Sequence, residues 1–363
     1  MIENDDLCRG KMFFMAKRYW EALSCFSKVC RVEPLNEEAW YFKGLALNHF
    51  QKYNEAIECF NYILQLDPES VQALVGKGCA LGNLGDYNTA LSCFEVAVEL
   101  QPKDPEAWFF KGVTYYSIDE HEKAHHCFEK VECLVPGDEK PFSFWYWKGK
   151  NYIGMGLDKD ALICFDKGLA SNSEDSFLCY EKGIVCFLLD KYDDSLACFI
   201  RVYELDPLCP DIWFRIGATY AGMGEHEKAL ELYQKAVDRE PVNPYVWYYM
   251  GLTYYDMKQY DKALYCFEKA IFCDLNDGHF CKWKAYALYK LKKYSKALYW
   301  FNKAARIDHQ EPDLCFGKGK TLEKLRKYGK AFECFQKGLK LNPYDEKLLE
   351  KIKKYEKLGL EMK

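Results

Sequence analysis

One spacing governs what this chain can fold into: a small residue followed four residues later by an aromatic one, recurring every 34 residues. The pairs are Ala22/Phe26, Ala56/Phe60, Ala90/Phe94, Ala124/Phe128, Ala161/Phe165, Ser195/Phe199, Ala229/Tyr233, Ala263/Phe267, Ala297/Phe301 and Ala331/Phe335, and only the step from the fourth to the fifth is longer, at 37 residues. Twelve residues before each small residue stands Gly10, Gly44, Gly78, Gly112, Gly149, Gly183, Gly217, Gly251 or Gly319, with Ala285 in the ninth unit. Twelve residues after it, all but three units carry a proline: Pro34, Pro68, Pro102, Pro136, Pro207, Pro241 and Pro343. A period of this length across 363 residues means one small unit copied ten times, and not several independent globular domains.

The pattern inside a unit is helical. Trp40-Tyr41-Phe42-Lys43-Gly44-Leu45-Ala46-Leu47 has the apolar period of an amphipathic helix. Further on, Ala56, Cys59, Phe60 and Ile63 make one apolar stripe. Glycine inside a helix costs about 1 kcal/mol relative to alanine, so its recurrence asks for a packing reason. The expected reason is close approach of the paired helix, with Gly44 facing the small Ala56. Pro68 then stops the second helix and suits the start of the next. Such a hairpin cannot bury both apolar faces alone, whereas a stack of ten has a continuous core.

At this point the chain resembles the tetratricopeptide repeat family. The family's residues stand at their spacing in Trp247, Gly251, Tyr254, Ala263, Phe267 and Ala270, and again in Trp213, Gly217, Tyr220, Ala229, Tyr233, Ala236 and Pro241. The resemblance implies an all-α, right-handed superhelical solenoid of stacked antiparallel helix pairs. It divides the chain into repeats one to four at 3–138, a short insertion at 139–141, repeats five to ten at 142–345, and a capping helix at 346–361. Leu348, Leu349, Ile352, Tyr355 and Leu358 would form the inner face of that last helix.

Chemistry-bearing motifs are sparse. Eighteen cysteines would signal disulfides in a small secreted domain. Here Cys25, Cys59, Cys93, Cys127, Cys164, Cys198, Cys266 and Cys334 each precede the aromatic residue of a unit, so they are read as small apolar filler. Their separation by at least a helix-packing distance, ~8–10 Å, argues against bridging. His121, His125, His126 and Cys127 are the densest candidate metal cluster, but they fall on turn and core positions. Gly154-Met155-Gly156 and Gly222-Met223-Gly224 fall between the two helices of a unit with no strand before them, so they read as turns and not as a phosphate loop. No catalytic arrangement stands out. The expectation is a protein that is not an enzyme and uses no cofactor or metal.

The amino terminus lacks a basic start with an apolar stretch, and no apolar run approaches a membrane span. A cytoplasmic location without membrane contact is therefore expected. Net charge is -5, but residues 278–363 carry +12 and the remainder -17. That basic end, with Lys282, Lys284, Lys290, Lys292, Lys293, Lys296, Lys324, Arg326, Lys327 and Lys330 beside Trp283, Tyr286 and Tyr289, opens a polyanion or nucleic-acid reading. Solvated helix faces are the stronger explanation.

The resemblance further implies that the first helix of each unit lines a concave groove. In chaperone-binding members, a Lys and Asn set there holds a partner's terminal carboxylate. That set is absent. The sixth position of the units carries Phe42, Phe110, Trp147, Tyr249 and Trp283 where the family commonly has Asn. The fifth adds Tyr41, Phe109, Tyr146, Tyr180, Phe214 and Tyr248, and the ninth Tyr286. An exposed stripe of rings marks a binding surface. The expected function is a scaffold or adaptor that binds a protein or peptide partner through these rings, with Lys150, Arg215, Lys282 and Lys320 pairing its acids. Self-association with a second copy, or packing of the rings within the chain, is the alternative.

Overall fold

Ten residues in the left-handed region of backbone space punctuate the chain: Lys17, Gln51, Gly85, Asp119, Gly156, Asp190, Gly224, Lys258, Lys292 and Arg326, with φ between 56° and 85°. Each sits in the short segment that follows an odd-numbered helix. Glycine reaches this region without a Cβ penalty, and here it fills only three of the ten turns. Gly156 and Gly224 are thus turn residues, as their flanking sequence suggested, while Gly154 and Gly222 end the preceding helices.

The computed structural model describes residues 3–136, 140–308 and 311–357, without the side chains of residues 3–5 and 142. These residues form twenty-one helices and no strand. They divide into two compact units, Met1–Leu189 and Asp190–Lys363. The first holds α1 (Glu3–Met15), α2 (Tyr19–Val32), α3 (Glu37–His49), α4 (Tyr53–Leu66), α5 (Val71–Asn83), α6 (Tyr87–Leu100), α7 (Pro105–Ser117), α8 (His121–Leu134), α9 (Phe142–Gly154), α10 (Asp158–Ser171) and α11 (Ser176–Leu188). The second holds α12 (Tyr192–Leu205), α13 (Ile212–Gly222), α14 (His226–Arg239), α15 (Pro244–Asp256), α16 (Tyr260–Cys273), α17 (Gly278–Lys290), α18 (Tyr294–Ile307), α19 (Pro312–Lys324), α20 (Tyr328–Leu341) and α21 (Glu346–Lys357).

Turns between repeats use side chains as well as proline. Asp67, Asn172, Asp206, Asp274 and Asn342 accept the backbone N–H two residues on, which bends the chain after α4, α10, α12, α16 and α20. Asn36, Asp104, Asp175, Asn243 and Asp277 then cap the following helix. The indole N–H groups of Trp40, Trp108 and Trp247 donate to the carbonyls of Pro34, Pro102 and Pro241 at 2.9 Å. The recurring tryptophan and proline of the sequence therefore tie one turn between them.

The glycines meet a different partner from the one expected. A Cβ on Gly10, Gly44, Gly78, Gly149, Gly251 or Gly319 would lie within 3 Å of the ring of Phe26, Phe60, Phe94, Phe165, Phe267 or Phe335. The ring four residues beyond the small residue, and not the small residue itself, fills the space that glycine leaves. Gly76 and Gly317 press in the same way on Phe60 and Phe301 of the preceding repeat, so some rings are gripped from two sides. These phenylalanines are fully buried, as are the alanines of the pairs. In the sixth repeat Ser195 replaces alanine, and its hydroxyl lies 3.2 Å from that of Thr219.

Within each unit, odd-numbered helices touch the next odd-numbered helix (α1 with α3, α5 with α7, α15 with α17), whereas even-numbered ones hardly approach one another. The stacks therefore curve with the odd helices inside. At the carboxyl end, α21 buries Leu348, Ile352 and Tyr355, with Tyr355 stacked on Phe332. Leu358 and the rest of the expected 346–361 helix beyond residue 357 lie outside the described residues, as do residues 137–139, of which 139 opens the expected insertion. Lys140 beside it is buried and donates to the carbonyl of Val135 at 2.6 Å.

The ring contact yields an inverted mutational sign. Gly78→Ala should gain about 1 kcal/mol in helix propensity. It also forces a Cβ to 2.7 Å from Phe94, an overpacking penalty of about 1–3 kcal/mol. A net fall in the urea midpoint is expected, and a rise would contradict the contact.

Candidate partner-binding faces

The odd helices carry the expected groove residues, and the rings on them are less exposed than a free stripe would be. In the first unit, Tyr41, Phe42, Phe109, Phe110, Tyr146, Trp147 and Tyr180 are all half-buried. The reason is stacking between repeats. Phe42 lies parallel to Phe26 of the repeat before it at 5.4 Å, and Phe110 parallel to Phe94 at 6.4 Å. Adjacent rings on one helix meet edge to face, as in Phe109–Phe110 at 5.2 Å and Tyr146–Trp147 at 5.3 Å. Trp147 also reaches back to Tyr116 at 5.6 Å. These rings serve as spacers between repeats and present only part of their surface inward.

The second unit shows the same construction. Tyr248 and Tyr249 are half-buried and edge to face at 5.3 Å, and Tyr249 meets Phe214 at 5.1 Å. Phe214 itself retains 6% exposure, so it belongs to the core more than to the inner surface. The half-buried Arg215 lies over its ring at 5.3 Å. Trp283 joins Tyr255 and Tyr286 at 5.3 and 5.6 Å, and Tyr286 packs on Phe301 at 5.1 Å. Between α15, α17 and α19 these rings bound a cavity of about 230 Å³, closed further by Tyr289, Phe316 and Lys320.

Two of the expected acid-binding lysines are already satisfied. Lys282 is 6% exposed and paired with Glu311, so it is a structural cation and not a contact for a partner. Lys150 pairs with Glu181 at 2.8 Å. Burial pushes its pKa down, but the hydrogen bond and charge of Glu181 outweigh this and hold it above the ordinary lysine value. Lys320 is the opposite case: burial, then the neighbouring charges of Lys351 and Lys290, push it below that value. Among the described residues it forms no ion pair, and its ammonium lies 5.3 Å from the centre of the Phe316 ring. Sequence reasoning reached Phe316 as a fifth-position ring, placed Tyr289 and Lys290 only in the basic end, and missed Tyr255 as a wall of this cavity. The signal was present, because Tyr255 and Tyr289 occupy the twelfth position of successive repeats, which also faces inward.

The remaining chemistry is structural. Asn151 is buried and links α9 to α8, donating to the carbonyl of His121 at 3.0 Å, with its amide oxygen 3.2 Å from the ring of the same histidine. His126 meets the edge of Trp108, and His125 lies beside Glu129 at 3.4 Å. Among the described residues no group of three His, Cys, Asp or Glu side chains could hold a metal ion. The periodic cysteines are free thiols, and burial pushes Cys59, Cys127 and Cys164 up to about 11 and Cys266 to about 12. No described helix is long and apolar enough to cross a membrane.

Comparison with known proteins agrees with this construction. Family models described as tetratricopeptide repeat match residues 15–71, 75–125, 210–243, 244–276 and 312–345. The chain belongs to the tetratricopeptide repeat family, whose members generally serve as scaffolds for protein interaction. Yeast Tom70 is a structural neighbour at 15% identity and a TM-score of 0.51, with 99% of this chain and 96% of that one covered. YrrB, described as a repeat protein of this class with an unusual peptide-binding site, aligns at 24% identity and a TM-score of 0.45, over 51% of this chain and 94% of its own. A repeat protein of Thermus thermophilus aligns at 20% identity and a TM-score of 0.47, over 51% and 99%. No curated protein sequence matches the chain.

Thiol burial can be read directly. Iodoacetamide at mildly alkaline pH should modify the exposed Cys8 and Cys133 well before Cys59, Cys127, Cys164 and Cys266. Peptide mass spectrometry over a time course reports the order, and uniform labelling of the folded chain would contradict it.

Proposed function

We propose that this chain is a non-catalytic scaffold that holds a peptide or helix of a partner against the aromatic inner faces of its two units. The observation that carries the reading is the row of half-buried rings on the odd helices. Rings such as Phe42 and Phe110 are held by the preceding repeat, yet they keep part of their surface exposed. Rings that are already immobilised lose little side-chain entropy on binding, which favours them as anchors. Supporting this, most of the periodic cysteines are buried in packing, His121 is bonded to Asn151, and the family supplies interaction surfaces more than active sites.

The polyanion reading is the weaker one, because part of its basic cluster is spent inside the fold. Lys284 pairs with Glu268 at 3.1 Å and lies 3.9 Å over Trp300, and Lys282 is held by Glu311.

The test is capture of a partner from host extracts by the chain and by a variant with Phe110, Trp147 and Tyr249 replaced by Asp. More than tenfold loss is expected, with circular dichroism confirming the helical fold. The corresponding leucine variant keeps these positions apolar and should lose several-fold. Unchanged capture by both folded variants would refute the reading. Affinity should also fall only mildly as salt rises, whereas a phosphate binder loses it steeply.

A further inference from the structure

The cations on the inner face follow a rule, and one repeat breaks it. Where an inward lysine stands in an earlier repeat, the following repeat supplies a carboxylate: Glu38 for Lys11 and Glu181 for Lys150. Lys320 occupies the same place in the tenth repeat. The tenth repeat is succeeded by α21, and this helix presents Lys351. Lys351 binds both oxygens of Glu323, at 2.7 and 3.0 Å, and so occupies the acid that α19 itself carries one turn beyond Lys320. Lys290 stands nearby, its ammonium 6.0 Å from the centre of the Tyr255 ring, and among the described residues it too has no ion-pair partner.

Both cations border the 230 Å³ cavity of the second unit. Its walls are Tyr255, Trp283, Tyr286, Tyr289 and Phe316. The floor is open because position 317 is glycine: a Cβ there would lie 2.6 Å from the Tyr286 hydroxyl, which donates to the carbonyl of Asp313 at 2.9 Å. One carboxylate, Asp313, also borders the cavity, and it leans toward Lys282 at 4.0 Å. The two lysines therefore outnumber the acid around a half-open, aromatic-lined pocket, and the partly covered Lys320 attracts a carboxylate more strongly than a fully hydrated cation does. The aromatic walls demand a flat apolar body on the same ligand.

We propose that this cavity takes a partner segment in which an aromatic residue carries or adjoins a carboxylate, the ring entering between the aromatic walls and the carboxylate turning to Lys290 and Lys320. The proposal rests on the inner face being a partner-binding surface and narrows that surface to one occupant. It differs from a terminal-carboxylate clamp in that the recognised unit is a ring with a negative charge beside it.

The probes are 3-phenylpropionate and its neutral analogue 3-phenylpropionamide, titrated into the full chain and followed by saturation-transfer NMR. The acid should bind at least tenfold more tightly than the amide. Lys320→Met, which keeps the apolar stem, should erase that difference, and Lys290→Met should weaken the acid several-fold. Equal binding of acid and amide, no acid signal at millimolar concentration, or wild-type acid binding by both folded variants would each overturn the proposal. Because the fragments report on the cavity without any partner, their failure leaves the scaffold reading standing. Unchanged partner capture by the ring variants would in turn leave the fragment result intact.

Discussion

Everything in this fold depends on a phenylalanine ring lying directly on a glycine of the preceding helix. The contact sets the closest approach of the two helices in a hairpin, and it admits no methyl group between them. Fully burying such a ring contributes up to about 3 kcal/mol, a large amount for a unit of this size. In places the ring is also pressed by the next repeat, as Phe60 is by Gly76. One side chain thereby closes a hairpin and joins it to its neighbour, and repetition of that contact is what makes a stack out of hairpins.

The functional surface is a by-product of this arrangement. Helices that approach so closely leave the sixth position facing the preceding repeat, and large rings there fill the wedge. Phe42 and Phe110 stack on the same phenylalanines that seat on Gly44-type residues. Inward rings are consequently rigid and partly covered. Charges are treated in the same manner: most inward lysines are neutralised by an acid one repeat on, which leaves the inner face mainly apolar until the last repeat.

The fold was legible in the sequence because its period is one-dimensional. Helix pairs, turns and the closing amphipathic helix all follow from where glycine, alanine, phenylalanine and proline recur. What could not be read was the offset between helices. That offset decides that Gly44 meets Phe60 and not Ala56, and it buries Lys282 against Glu311, a residue from the turn of the next repeat. The site was legible in part. Rings at the fifth and sixth positions were recognisable, and Lys320 was named for its charge. Tyr255 and Tyr289 share a cavity with it only because successive helices bring the twelfth position of one repeat beside the ninth of another.

The short helix α21 illustrates how a stabilising end can also tune specificity. Its apolar residues seal the last repeat, with Leu348 against Gly338 and Tyr355 beside Phe335. Its Lys351 meanwhile diverts Glu323 from Lys320. A fragment trimmed to the repeats alone would therefore lose more than its plug. Glu323 would lose its lysine partner, and the charge balance around Lys320 would shift with it. Boundaries drawn by repeat counting would thus separate the scaffold from the element that sets its charge preference.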